Sequence, residues 1–181
     1  MGFPSMLWPG VATAILVIWA AGITPITALP IPLAARMERD FTKAHNQARS
    51  AVGVKPLRWD PPFAQYADSF ARYMIIGPPG TCEFGKEAPP TSYGMNAMVA
   101  NLVTEIPRVV EWWTQGRRYY DARTNTCASI LRNTCRAYLQ VVWGASETLG
   151  CGSAPCGKDG RLYLCLYSPP GNTKGGRPFN P

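Results

Sequence analysis

The chain has 181 residues, enough for one ordinary domain whose single core buries roughly two-thirds of the unfolded surface. Lys and Arg number 18 against 11 Asp and Glu, a formal charge of +7, and none of these charged residues falls within the first 35 positions. The cations are scattered, with Arg117–Arg118 the only adjacent pair, which argues against a nucleic-acid groove and for a general attraction to an anionic wall polymer or a membrane surface.

The N-terminal stretch from Val11 to Ile23 is apolar, of signal-peptide length, and followed by small residues. Residues 1–28 are therefore expected to form a signal peptide, cleaved after Gly22 or Ala28, with 29–36 as a linker. The segment before it lacks the usual positive charge, so an uncleaved membrane anchor is the competing reading. Six cysteines, at 82, 127, 135, 151, 156 and 165, agree with export: an even count in an oxidising compartment implies three disulfides, and fifteen pairings are open from spacing. Zinc is the poorer explanation, because C-x4-C at 151 and 156 is not a common zinc spacing and the one histidine, His45, lies far upstream.

From Arg36 to Gly53, Phe41, Ala44, Ala48 and Val52 fall on one helical stripe, with Gly53 placed to end the helix. A second helix opens with Asp60 as N-cap and Pro61 at the first helical position, then repeats Phe63, Tyr66, Ala67, Phe70, Ala71 and Met74 at i, i+3, i+4 spacing. Gly77 to Met98 is rich in Pro, Gly and small polar residues and is expected to be a long loop tethered by Cys82. A third helix is capped by Thr104 and turns Ile106, Val109, Val110 and Trp113 inward, so Trp112 and Trp113 cannot both face the core. Residues 148–154 and 161–168 are strands joined by a hairpin across GKDG, the second alternating Leu162, Leu164, Leu166 with Tyr163, Cys165, Tyr167. Helices first and antiparallel strands last give an α+β or layered domain. The closing stretch 169–181 holds four prolines and three glycines, so it cannot continue a strand and is expected to be a mobile, protease-accessible tail.

Four stretches, AHNQARSAVGVKPLRWD (44–60), YYDARTNTC (119–127), QVVWGASETLGCG (140–152) and CLYSPPGN (165–172), resemble in order and spacing the plant pathogenesis-related protein 1 group of the CAP superfamily. The superfamily also includes cysteine-rich secretory proteins and antigen 5. The resemblance spans about residues 37–179 and implies a CAP domain over 37–168. Its fold would be a three-layer α-β-α sandwich with an antiparallel sheet and bridges Cys82–Cys151, Cys127–Cys135 and Cys156–Cys165. The family's two His and two Glu facing a central cleft can hold a divalent metal, but this sequence has Met95, Gly116 and Ala137 at three of those positions. The fourth falls at about Lys86 or Glu87. None of Met95, Gly116 and Ala137 carries a side chain that coordinates zinc well, so neither a metal nor any other cofactor is expected.

A hydrolase would need a nucleophile and a base, and the only imidazole is the helical His45, better explained as packed or capping; lone serines such as Ser92 and Ser146 are loop polars. Losing the tetrad leaves an apolar, roomier cleft suited to a sterol or fatty acid, as reported for family members of this type. Candidate walls are Met95, Trp113, Tyr138, Val141, Val142 and Trp143, each of which could equally be core. The tail resembles a cryptic defence-signalling peptide of the plant family, with Pro169, Pro170, Gly171, Asn172, Pro178 and Phe179 as its recognisable positions. The substituted tetrad also resembles the pistil-expressed branch of the group. The expectation is thus a secreted, monomeric, non-enzymatic plant protein that acts by binding in defence or reproductive tissue, in the apoplast or cell wall.

Overall fold

The structure, a computed structural model, describes residues 31–85 and 92–180. The expected signal peptide, Lys86 and Glu87 lie outside the described residues. The elements are α1 (Leu33–Ser50), β1 (Arg58–Trp59), α2 (Pro61–Met74), β2 (Ile75–Ile76), β3 (Glu83–Phe84), β4 (Gly94–Asn101) and α3 (Ile106–Thr114). A 3-10 turn (Gln115–Tyr119) follows, then β5 (Tyr120–Asp121), β6 (Thr126–Cys127), α4 (Arg132–Val141), β7 (Thr148–Cys156) and β8 (Gly160–Ser168).

The architecture follows from β8. Its leucines 162, 164 and 166 face one side, its Tyr163, Cys165 and Tyr167 the other, and all six are buried. A strand buried on both faces needs a layer on each. On the leucine side lies α2, through Ala67, Phe70 and Ala71. On the other lie α1, α3 and α4, through Phe41, Val109, Val110, Trp113 and Val141. The main sheet runs β1-β7-β8-β4, antiparallel except for the short parallel β1–β7 pair. This is the expected α-β-α sandwich.

Helix α2 begins as the sequence indicates, with the Asp60 carboxylate accepting the Phe63 N–H at 2.8 Å. It lies flush on β7, where Gly150 and Gly152 leave room: a Cβ on Gly150 would stand 2.5 Å from the Ala64 nitrogen, and one on Gly152 would meet the Asp68 backbone.

Several expectations are corrected. Residues 33–36, assigned to the linker, form the first turn of α1, since Leu-Ala-Ala-Arg are strong helix formers directly after Pro32. The buried stripe of α1 is Met37, Phe41, His45 and Arg49, while Ala44, Ala48 and Val52 pack at its edge. Within the expected loop, Gly94–Asn101 is the edge strand β4, paired along its length with β8. Thr104 does not cap α3; the N-cap is Glu105, without a side-chain bond. Trp113 is buried and Trp112 only partly so, as adjacent helical positions require.

The disulfides differ from the pairing implied by the family resemblance. They are Cys127–Cys135 as expected, but Cys82–Cys156 and Cys151–Cys165 instead of Cys82–Cys151 and Cys156–Cys165. The register explains this. Cys151 and Cys165 are directly opposite across β7 and β8, with Cα atoms 4.1 Å apart. Cys156 lies opposite Gly160, five residues along the strand from the partner of Cys151 and thus about 16 Å away, beyond disulfide reach of Cys165. Cys82–Cys156 spans 74 residues, and the chain-entropy model assigns such a closure about 4 kcal/mol. Peptide mapping of the oxidised protein is expected to recover linked Cys82–Cys156 and Cys151–Cys165 fragments; a Cys82–Cys151 fragment would contradict the strand register.

Candidate functional site

Between edge strand β4, the outer side of α4 and the start of the C-terminal segment lies a hollow of about 500 Å³. Met95 from β4 and Ala137 from α4 both line it. Around them stand Tyr93, Asn96, Arg136, Gln140 and Asn172. The expectation of a dry, apolar cleft is therefore corrected: the exposed side of α4 and the returning chain bring amides and a guanidinium to the same walls.

Gly116, the third tetrad position, is elsewhere. It is buried where the 3-10 turn meets α4, and a Cβ there would strike the Thr134 carbonyl. Closing that turn onto α4 needs a residue without a side chain. The donor set does not fit a divalent metal: the thioether of Met95 and the methyl of Ala137 are poor or void as ligands for such an ion. Among the described residues no three His, Cys, Asp or Glu side chains come together.

The lipid-wall candidates are not gathered around one cavity. Trp113, Val141 and Val142 are core residues. Tyr138 borders a separate hollow of about 300 Å³ with Ala48 and Val52, and Trp143 borders another of about 360 Å³ with Arg132 and Lys174. Of the proposed walls only Met95 reaches the tetrad hollow. Helix α4 is short and contacts the 3-10 turn, α3, α1 and β4, so most of its apolar positions are consumed by packing.

Gln140, the one clearly polar side chain in the stretch YLQVVW, is 1% exposed. Its amide is wedged between two glycines: a Cβ on Gly94 would collide with it, and one on Gly171 would lie 2.8 Å from both terminal atoms. Its Oε1 accepts the Gly171 N–H at 3.0 Å, and its Nε2 donates to the Ser146 hydroxyl at 3.4 Å. Ser146, which sequence reasoning placed among loop polars, is buried and donates in turn to the Pro169 carbonyl at 2.8 Å.

Farther on, Asn172 donates to the Arg136 carbonyl, Asn125 to the Gly176 carbonyl, and the Gly144 N–H to the Pro178 carbonyl. Phe179 packs edge-on against Tyr120 at 5.9 Å. The mobile tail is thus corrected to a docked one. Pro and Gly prevent it from joining the sheet, but side chains from α4 and the loops satisfy its backbone instead.

Behind the hollow runs a closed polar chain. His45 Nδ1 lies 2.8 Å from the Phe41 carbonyl, which can only accept, so Nδ1 carries the proton and Nε2 accepts the Tyr167 hydroxyl at 2.7 Å. Tyr167 accepts from Asn96 Nδ2 at 3.3 Å, and the same amide donates to the Ala137 carbonyl at 2.9 Å. Burial, slightly countered by the Phe41 bond and reinforced by nearby Arg49, pushes the His45 imidazole down to about 4. Burial likewise pushes the Tyr167 phenol well above its usual value. This imidazole faces no solvent and no cavity. It is a strut.

Two residues of the same helix carry structural duties that sequence reasoning missed. Asn46 bonds both the N–H and the carbonyl of Leu57, at 2.7 and 3.1 Å. Arg49, fully buried, donates to the carbonyls of Lys55, Val141, Trp143 and Ser146 at 2.7–3.1 Å. The available signal was slight: Arg49 falls four residues after His45 and eight after Phe41, on one face of the helix.

A three-layer sandwich pinned by three disulfides, with a hollow between its edge strand and the last helix, defines a small disulfide-bonded domain of the secretory CAP kind. The family model for CAP, the cysteine-rich secretory protein family, matches residues 42–167, and the chain belongs to this family. It is 36% identical to pathogenesis-related protein 1 of Arabidopsis thaliana, over 91% of this chain and 95% of that protein. It is 35% identical to pathogenesis-related protein 1A of Nicotiana tabacum, over 81% of this chain and 83% of that protein. Among solved structures, Schistosoma mansoni venom allergen-like protein 4 superposes with a TM-score of 0.56 at 27% identity, over 79% of this chain and 93% of that one.

Proposed function

We propose that this pathogenesis-related-type CAP protein is a secreted, non-enzymatic binder acting in plant defence or reproductive tissue. Its ligand would be an amphipathic lipid, a sterol or a fatty acid, held in the hollow between β4 and α4. The observation that carries the reading is that two tetrad positions, Met95 and Ala137, still line one hollow of about 500 Å³ while offering it only a thioether and a methyl. That volume lies within the range of small-molecule sites. Met95, Ala137 and the ring of Tyr93 suit an apolar body, and Arg136 with the amides of Asn172 and Gln140 suits a hydroxyl or carboxylate head. Three disulfides support an extracellular setting. The non-enzymatic reading is supported by the burial of His45, the one histidine of the sequence, and by the lack of an Asp, Glu or His among the described residues that line the hollow.

Ala137→Trp tests the reading. The position is half-buried at the hollow's wall, so an indole fills the space without entering the core. Titration with a fluorescent sterol and with a labelled fatty acid is expected to show saturable binding that weakens at least about tenfold in the variant, a loss of about 1.4 kcal/mol, with an unchanged melting temperature. No saturable binding of either probe, or equal binding by the variant, overturns it.

A further inference from the structure

The outer side of α4 carries a feature that the proposed lipid site shares only at Arg136 and Asn172. Arg132, Arg136 and Leu139 recur at i, i+4 and i+7, one stripe of α4, and with Trp143, just past the helix end, they border the hollow of about 360 Å³ closed on its far side by the segment 172–176. Leu139 and Trp143 are buried at its floor, whereas Arg132, Arg136 and, from the opposite wall, Lys174 are exposed. Among the described residues no Asp or Glu lines this hollow or the neighbouring one around Ala137. The nearby Asp121 is turned into its own loop, accepting the N–H groups of Arg123 and Thr124 at 2.9 and 3.3 Å. Among the described residues none of the three cations forms an ion pair.

This arrangement works against folding. Like charges at i, i+4 repel, and Arg132 is the first residue of α4, where the helix dipole disfavours a cation and no acidic residue in the first turn offsets it. The same uncompensated field attracts an anion from outside. Guanidinium groups match carboxylates in planar, bidentate fashion. Arg132 and Arg136 stand about 6 Å apart along the helix, with Thr173 and Asn172 across from them offering a hydroxyl and an amide. Repeated carboxylates interspersed with hydroxyls are the complement of such a wall.

We propose that the groove between α4 and residues 172–176 is a binding site for an acidic oligosaccharide of the polyuronate class, with Arg132, Arg136 and Lys174 holding successive carboxylates. The docked C-terminal segment is then one wall of the site: Gly171 and Gly176 lie against the Trp143 ring, where a Cβ would stand 2.9 and 2.8 Å from its atoms.

The test compares the full-length protein with Arg132→Gln/Lys174→Gln, and with Lys43→Gln/Lys158→Gln, which removes equal charge from exposed positions outside the groove. Probes are oligogalacturonate, its uncharged methyl ester, and phosphatidylcholine vesicles containing phosphatidylserine. The expected result is that oligogalacturonate binds with an affinity that falls as salt rises, that the groove variant binds about tenfold more weakly, that the distant variant changes less than twofold, and that the ester does not bind. Equal weakening by both variants reduces the effect to net charge and overturns the site. So does binding of the ester, or groove-dependent binding of vesicles without binding of the oligosaccharide. Removing Arg132 relieves the dipole conflict, so the variant is expected to fold at least as stably, and a melting curve checks this. Arg136 and Ala137 are untouched in it, so loss of lipid binding and loss of oligosaccharide binding are separable results.

Discussion

Arg49→Met is expected to destabilise the folded chain by about 3–5 kcal/mol, because it strips several buried carbonyls of their donor at once. Its guanidinium is fully buried and has no ion-pair partner among the described residues, and desolvation lowers it to about 10, so it stays charged at neutral pH. Four carbonyls balance that charge. Val141 ends α4 and Trp143 lies just beyond, so two of the four carry the negative end of that helix dipole. One side chain thereby joins α1 to the loop after it, to the end of α4 and to the approach to β7. Methionine fills similar volume but donates nothing, and each abandoned buried acceptor costs about 1–3 kcal/mol, less whatever water can reach. Arg49→Lys, with one compact ammonium, satisfies only part of the set and is expected to fall between. Urea unfolding at pH 7, followed by tryptophan fluorescence, measures both. A loss under about 1 kcal/mol for Arg49→Met would mean that the carbonyls find other partners, and the bracing role would be wrong.

Much of this fold was legible in sequence for local reasons. Asp60-Pro61 announces α2 because the cap and the first helical residue use neighbouring groups. The leucine and tyrosine alternation of β8 marks a strand buried on both faces, and that alone calls for three layers. What stayed hidden depends on partners distant in the chain. β4 reads GMNAMVAN, poor in strand formers at its start, and is a strand because β8 pairs with it. Arg49 resembles any solvent-facing arginine of an amphipathic helix until carbonyls 92 to 97 residues away close over it. Cysteine spacing left the pairing open, and the β7–β8 register decided it.

The site divides in the same way. Substitution at Met95 and Ala137 was visible, and the structure brings both to one hollow. The burial of Gly116 against α4 was not visible, nor was the capture of the C-terminal segment by Gln140 and Ser146. Composition says what a proline-rich segment cannot do. It does not say what will hold it.

Acidification is expected to cost the folded state about 3 kcal/mol between pH 6.5 and 4 through His45 alone, because its pKa falls from 6.5 in the unfolded chain to about 4 in the folded one. The sign follows from which state takes up the proton. Above 6.5 both states hold a neutral imidazole and the residue adds no pH dependence. Below it the unfolded chain is protonated while the folded one is not, so stability drops steadily until the folded imidazole also charges near 4. Geometry reinforces burial here. Nδ1 already donates to Phe41, so a second proton on Nε2 would face the Tyr167 hydroxyl, which would then have to surrender its own donor role in the Asn96–Tyr167–His45 chain. Asp40 and Asp121, both held below the usual carboxylate value, lose their contributions only at lower pH, below the ordinary Asp value of 3.8. His45→Gln separates the two sources. It is expected to be less stable at pH 7, having lost the ring packing against Phe41 and Trp113, yet to lose little more on going to pH 4, whereas the unaltered protein loses about 3 kcal/mol over that interval. Parallel urea midpoints for the two proteins across the range would show that the proton goes elsewhere and that the buried chain behind the hollow does not set the acid limit of the fold.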